Sequence, residues 1–498
     1  MESNRDARQL VTTIPAILLG VVVLFVAGFF LWVVGLRVGY PFELEWMEGA
    51  MADHVCRVLD GKLIYTAPAY DHVAFLYHPG YFYAAGLIGF ITGPGFLALR
   101  LVSILATLGS CVFVFRLAKR DGNRLGGIAA VGVFLGAFSL AGCYYDVGRI
   151  DPLFTCLLLG GIDLTRSAKT WKGLSVATFV FLLAWLTKQT ALVILPFVVL
   201  GCMPSGFRRA TLFGCGIAMV CGLTVWILDL VHDGWLSYFT LELPRNHGIL
   251  REFYTAYWTH DVLPFLLAVA LFAVFLIRAR SKGARPFHAA WIIGCVVGSF
   301  LSRLHVGGAA NVLIPMIGAM AVACGLGLAH CATTGGGRYA VALCAATLQV
   351  ALLFVLPWGQ LISPNLAYAV PVVPSEEMRG RSERRLDEMR QHDGPVFLPW
   401  HGYLALMAGK EPTAHSMAMD DVWRSGNEEA IRTMNDSLRT RLQRAPFPLV
   451  YVDDVGHQDI RGLLLGLGYR PTRPLADEEH QLVPPVGTAL WPKVVLRR

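Results

Sequence analysis

Apolar runs of bilayer-spanning length recur through most of this 498-residue chain, and no other feature limits its fold as strongly. The run from Ile14 to Leu36 holds no charged residue. It is longer than the apolar stretch of a signal peptide and lacks a small-residue cleavage site, so it is expected to be a first membrane anchor. A hydrocarbon core about 30 Å thick takes about 20 residues of helix. On that measure about eleven spans are predicted: 14–36, 80–118 (interfacial to about 92, then spanning from about 97), 125–142, 151–168, 172–187, 189–204, 210–230, 262–279, 286–302, 308–330 and 338–358. Charge follows the same division. The first 358 residues carry 42 charged groups and the last 140 carry 35, or 12% against 25%. A soluble domain is about 25% charged, so a water-soluble enzyme is excluded for residues 1–358 and expected only for 359–498.

Orientation follows from the short connections. Sixteen of the 25 basic residues of the membrane part, among them Arg5, Arg8, Arg116, Lys119, Arg120, Arg124, Arg166, Lys169, Lys172, Arg208, Arg209, Arg278, Arg280, Lys282, Arg285 and Arg338, fall on one side if the span count is odd. By the excess of Lys and Arg in cytoplasmic loops, that side and the N-terminus are expected in the cytoplasm and the tail outside. The net charge of +7 is therefore read as topology and not as a nucleic-acid-binding signal. The eleven cysteines include no CxxC pair and the tail has none, so neither a disulfide framework nor a zinc site is indicated.

The outward connections then hold the unusual chemistry. The loop 37–80 contains ELEWMEG, with Glu43, Glu45 and Glu48, followed by a short amphipathic helix expected over Glu48 to Gly61 to lie in the interface. The turn YYDVGRID places Asp146, Arg149 and Asp151 between two spans, where ionisable groups are expensive unless paired or functional. Asp146 or Asp151 pairing with Arg149 and a functional role both remain open. Lys188 in LTKQT, and Arg303 with His305 in SRLHVGG, sit where outward spans end; they suit a lipid-linked phosphate, or else anchor the helices by snorkelling. Arg100 is a weaker candidate of the same kind. YHPGYFY, with His78 and Tyr81, reads as an aromatic interface segment. TGGGR at 334–338 lacks the lysine of a phosphate loop.

Taken in order, ELEWMEG, LDGKLIY (Leu59 to Tyr65), YHPGYFY, GRIDPL (Gly148 to Leu153), LTKQTAL and SRLHVGGAANVLIP resemble the GT-C superfamily of polytopic glycosyltransferases over about residues 10–330. The nearest resemblance is to the bacterial branch related to protein O-mannosyltransferases, the lipid A aminoarabinose transferase and the rhizobial lipopolysaccharide-core transferases. It implies an α-helical polytopic membrane protein, a sugar on a polyprenyl phosphate as donor, an acceptor hydroxyl on a glycan, lipid or protein, and inversion at the anomeric carbon. The family's first-loop acid, a general base, falls on Glu48 or Glu45. Lys188, Arg303, His305 and Arg149 are then expected at the donor phosphate, and Glu43, His78 and Tyr81 at the substrate. Asp146 or Asp151 would be the ligands if a divalent cation, Mg or Mn, is used. A flippase of lipid-linked sugars is the rival reading; the gathering of polar groups at one face, rather than at the midplane, favours the enzyme.

The tail alternates helical and strand patterns and is expected to form a small α/β domain over 359–498 that caps the outer face and helps select the acceptor. Trp400 to Lys410 could reach the site, and Asp453 and Asp454 end a predicted strand. Asn435 opens a glycosylation sequon in form only.

Overall fold

The protein is described by a computed structural model, which covers residues 2–281, 283–356, 373–453, 458–474, 484–487 and 492–497. Lys282, Asp454, most of the Pro-rich linker, and the side chains of Arg5, Arg8 and Asp453 lie outside the description. Among the described residues seven helices are long and apolar enough to cross a bilayer: Leu10–Arg37, Phe96–Arg120, Phe207–Val231, Phe253–Arg278, Ala284–Leu304, Ala310–Thr334 and Gly336–Val355. Gly80–Thr92, Arg124–Gly136, Trp171–Trp185 and Ala191–Ser205 are apolar but shorter. Their outer faces carry bare apolar side chains such as Leu24, Phe25, Met219 and Ile277. Helices satisfy their own backbone groups, so such faces suit hydrocarbon and not water.

In chain order the elements that frame the site are α1 (Glu2–Arg37), α2 (Glu48–Leu59), α3 (Gly80–Thr92), α4 (Phe96–Arg120), α5 (Arg124–Gly136), α6 (Ile150–Ser167), α7 (Trp171–Trp185), α8 (Ala191–Cys202) and α9 (Phe207–Val231). The span expected over 125–142 ends as helix at Gly136, and the chain then turns through Gly142 and Cys143, both with left-handed backbone. The helix Ile314–Cys331 is the axis of the bundle, packed against α4, α5, α6 and Leu266–Arg278. Its glycines make that contact close: a Cβ on Gly325 would lie 2.3 Å from the Gly126 carbonyl oxygen, and one on Gly327 2.1 Å from that of Leu271. Small residues at helix crossings are how membrane bundles gain van der Waals contact without a hydrophobic drive between helices.

The tail holds a four-stranded sheet in the order β1-β2-β4-β3, with β1 (Val396–Phe397), β2 (Leu449–Asp453), β3 (Arg470–Pro474) and β4 (Pro492–Arg497). β1 runs parallel to β2, and β4 antiparallel to both β2 and β3. Helices Glu376–Gln391 and Glu428–Arg444 are each started by a side-chain cap, Ser375 and Asn427. Two further helices, Gly402–Met407 and Ser416–Arg424, were not anticipated. Met51, Val55, Phe75 and Phe82 of the first loop and α3 share one apolar core with Phe397, Met419, Val422, Met434 and Val450 of the tail. That shared core seats the tail against the end of the bundle where α1 stops and α6 starts.

Candidate active site

The loop after α1 is held by one arginine. Arg100, on α4 and fully buried, donates to the carbonyls of Arg37, Tyr40 and Phe42 at 3.3, 2.5 and 2.6 Å. It also grips Glu48 through both carboxylate oxygens, at 3.1 and 2.7 Å. Glu48 further accepts from the backbone N–H of Leu44 at 2.8 Å and of Gly148 at 2.7 Å. Both of its oxygens are therefore engaged at the turn between α5 and α6. Loss of one partner from such a buried pair costs roughly 3–5 kcal/mol. The fork of Arg100 fits a carboxylate plus three carbonyls, and all its nitrogens face the loop, not a phosphate.

Glu45 is placed differently. It is 1% exposed, and its Oε2 accepts from the Met47 N–H at 3.1 Å and from Arg149 Nη1 at 3.3 Å. Its Oε1 has no hydrogen-bond partner among the described residues. Burial pushes this carboxyl up to about 7; Arg149 pulls it back in part, and the neighbouring Glu48 adds to the rise. Arg149 stays charged because Glu45, Tyr77, Tyr144 and Asp151 surround it against the cost of its own burial. From the tail, Val486 pairs in parallel with Glu45, its N–H bonded to the Leu44 carbonyl at 2.9 Å. Gly487, at φ +76, passes so close that a Cβ would meet Tyr144 Oη at 2.8 Å and Glu45 Cγ at 3.0 Å.

Glu43, the third acid, bonds across the molecule: His401 Nδ1 donates to its Oε2 at 2.5 Å. Gly49 makes room, since a Cβ there would lie 2.1 Å from Glu43 Oε1. Asp53, one turn further along α2, has its carboxyl raised well above the usual range, by burial first and Glu43 second. The tail segment from Trp400 therefore does reach the acidic motif, through a histidine that no spacing in the sequence links to Glu43.

In the turn, successive groups of GRID take separate partners. Gly148 N–H binds Glu48, Arg149 binds Glu45, and Asp151 at the start of α6 pairs with Lys188 and accepts from Asn311 Nδ2 at 2.6 Å. The segments GRIDPL, LTKQTAL and GGAAN are thereby joined at one buried cluster. Asp146 does not pair with Arg149; it faces Arg37 at 3.2 Å. Asp146 and Asp151, the expected ligands of a divalent cation, thus each face a basic side chain, Arg37 and Lys188. No three His, Cys, Asp or Glu side chains among the described residues are grouped as metal ligands.

Several expected contacts fall outside the cluster. Arg303 pairs with Asp261 at 3.1 Å, donates to Gly308 O at 2.6 Å and lies over the Phe253 ring. Asp261 lies within the helix Phe253–Arg278, at a position the sequence marks with no motif. His305 bonds the Pro244 carbonyl at 2.8 Å. Tyr81 is fully buried, its hydroxyl given to Leu99 O at 2.9 Å and near Ser103 Oγ at 3.2 Å, so it holds α3 to α4. His78 donates from Nδ1 to Trp185 O at 2.7 Å, leaving Nε2 without a partner among the described residues. Burial lowers its ring to about 4, so it is neutral. A cavity of about 110 Å³ lies elsewhere, at the far end of α6, and is not part of this cluster.

No family model and no curated relative matches the chain. Solved structures do. The crystal structure of ArnT from Cupriavidus metallidurans bound to undecaprenyl phosphate superposes with a TM-score of 0.63 at 12% identity, over 95% of this chain and 97% of that one. The apo state of the same protein gives 0.61 over the same shares. The oligosaccharyltransferase of Archaeoglobus fulgidus gives 0.48 at 11% identity, over 90% of this chain and 69% of that one. Both proteins are GT-C glycosyltransferases. The long apolar helices, the loop helix after α1 and the small C-terminal sheet thus assemble into the GT-C membrane fold.

Proposed function

We propose that this chain is a membrane glycosyltransferase that moves a sugar from a polyprenyl phosphate to an acceptor hydroxyl at the end of the bundle covered by the tail. The observation that carries the proposal is Glu45: a buried carboxyl raised to about 7, bonded to Arg149 on one oxygen and without a partner among the described residues on the other. A base poised near working pH is what proton removal from a hydroxyl requires. In the reaction the acceptor oxygen bonds to the anomeric carbon as the bond from that carbon to the phosphate oxygen breaks. The hydroxyl proton passes to Glu45 Oε1, and the polyprenyl phosphate leaves with the electron pair. Arg149 and Lys188 lie on the same cluster and stabilise the departing charge. A single displacement inverts the anomeric carbon. The similarity in fold to a protein solved with undecaprenyl phosphate supports this class of donor.

In the same reading the tail faces the periplasm and the N-terminus the cytoplasm of a bacterial inner membrane. Residues 359–498 act as a cap that supplies His401 and the Val486 segment. Glu48 positions the loop and does not take the proton. Transfer from a panel of labelled polyprenyl-phosphate sugars by the purified protein tests this. Glu45→Gln is expected to lower turnover by about 10²–10⁴-fold in protein that still folds, although Arg149 loses its charged partner, whereas Glu48→Gln chiefly lowers the melting temperature. Full activity of Glu45→Gln removes the assigned base. Absence of transfer with every donor, together with lipid translocation in liposomes, replaces the enzyme by a flippase. A chelator in the same assay tests whether a divalent cation is used: a lost rate restored by Mg or Mn assigns one, and an unchanged rate removes it.

A further inference from the structure

The other end of α6 carries a separate constellation. α6 has 18 residues, so its two ends are about 27 Å apart at 1.5 Å per residue, and what lies at Ser167 is remote from Asp151. There a cavity of about 110 Å³ opens between the end of α6, the start of α9 and Gly283. It is well below the ~300 Å³ at which pockets for drug-sized ligands begin, and so admits a compact group. Two guanidiniums line it, Arg166 and Arg209, with Ser205 and Gly206.

The charges there are not equivalent. Arg166 is neutralised by Asp121, which it grips at 2.7 and 2.6 Å and which also accepts from His288. Arg209 donates to the carbonyls of Ala168 at 3.1 Å and Thr170 at 3.4 Å, and pairs with no carboxylate among the described residues. It is held in place but its charge is uncompensated. The first turn of α9 has no side-chain cap, and its N–H groups and dipole add to the positive potential. The cavity is thus built for one anion.

A second opening adjoins it. Between α7 and α9 a groove of about 320 Å³ runs along the bundle surface, lined by Trp171, Phe179, Leu212, Gly216 and Val220, and it shares Leu174 and Phe213 with the cavity. A compact anion site beside an apolar groove on the bundle surface, with two lining residues in common, matches an amphiphile better than a soluble phosphate. We propose that this end of the bundle binds one anionic phospholipid of the bilayer, with its headgroup phosphate against Arg209 and the start of α9 and one acyl chain in the α7–α9 groove.

Native mass spectrometry of the full chain, purified and delipidated in detergent, tests the assignment with phosphatidylglycerol, phosphatidylcholine of the same acyl chains, and inorganic phosphate. Phosphatidylglycerol is expected to bind at one site about tenfold more tightly than phosphatidylcholine: both carry the phosphate, but the choline ammonium cancels the lipid's net charge and adds a cation beside Arg209 and Arg166. Arg209→Gln keeps a donor for the two carbonyls and removes the charge; it is expected to abolish that preference. A Cβ on Gly216 meets nothing within 4 Å, so Gly216→Leu fills the groove without displacing a neighbour. It is expected to weaken both lipids at an unchanged melting temperature. Equal binding of the two lipids by the unsubstituted protein overturns the proposal, as does phosphatidylglycerol binding that survives both substitutions. Full displacement of the lipid by inorganic phosphate, with Gly216→Leu without effect, shows a bare anion site and also overturns it.

Discussion

At the residue scale, three glutamates within six positions have three fates, and their neighbours decide which. Glu48 is saturated by Arg100 and two backbone N–H groups, Glu43 is tied to His401, and Glu45 combines a carboxyl raised to about 7 with an Oε1 that has no partner among the described residues. A base must be deprotonated, so kcat/KM is expected to rise with pH and to level off above about 7, and Glu45→Gln should remove that limb. A profile flat from pH 5 to 8 in the unsubstituted protein argues against Glu45 as the base. For Glu48 the expected loss is structural: Arg100→Leu strands a buried carboxylate and should destabilise by about 3–5 kcal/mol, visible as a lower melting temperature in detergent. The candidates were legible as a cluster because charges are rare in the membrane part. Their ranking was not legible, because Arg100 lies 52 residues from Glu48 and its direction is set only once α4 packs beside the loop.

At the scale of elements, most boundaries were readable because hydropathy and caps are local properties. The helix over 376–391 follows from Ser375 and the charged stretch after it, and the loop helix from the apolar spacing in EGAMADHVCRVL. The early end of α5 and the turns beyond it were not readable, since residues 137–142 are as apolar as the helix before them and the chain turns there by adopting positive φ. Packing between elements rests on glycines whose purpose is invisible in one dimension. Gly327→Val puts side-chain carbons where the Leu271 backbone lies. Backbone cannot yield as a side-chain tip does, so a destabilisation of at least about 1–3 kcal/mol is expected. An unchanged thermal transition for this variant would mean that Ile314–Cys331 and Leu266–Arg278 are not packed as closely as the structure places them.

At the scale of the molecule, the tail and the bundle meet through one apolar core and several polar joints, among them His401 to Glu43, Val486 to Leu44, His247 to Asp421 and Asn246 to Ser425. His401→Ala is expected to lower both the melting temperature and transfer activity, since it takes the imidazole from a buried carboxylate. Gly49→Ala should do the same by pushing Glu43 off His401, although it lies in the loop and not in the tail. If His401→Ala retains full activity and stability, the tail is a passenger and not part of the site.

Hydropathy and charge distribution alone determined that the chain lives in a membrane, which segments run as helices, and that the scarce charges of ELEWMEG, GRID and LTKQT are the candidates for a site. Those properties are local: each is decided by the cost of placing a given residue type in hydrocarbon or water. Which charge answers which was decided only by the tertiary structure. Asp146 with Arg37, Asp151 with Lys188 and Asn311, Arg303 with Asp261, and Glu43 with His401 are separated by up to 358 residues. Burial makes each of these partnerships obligatory, but helix packing and tail docking choose the partner, and no periodicity or spacing along the chain records that choice.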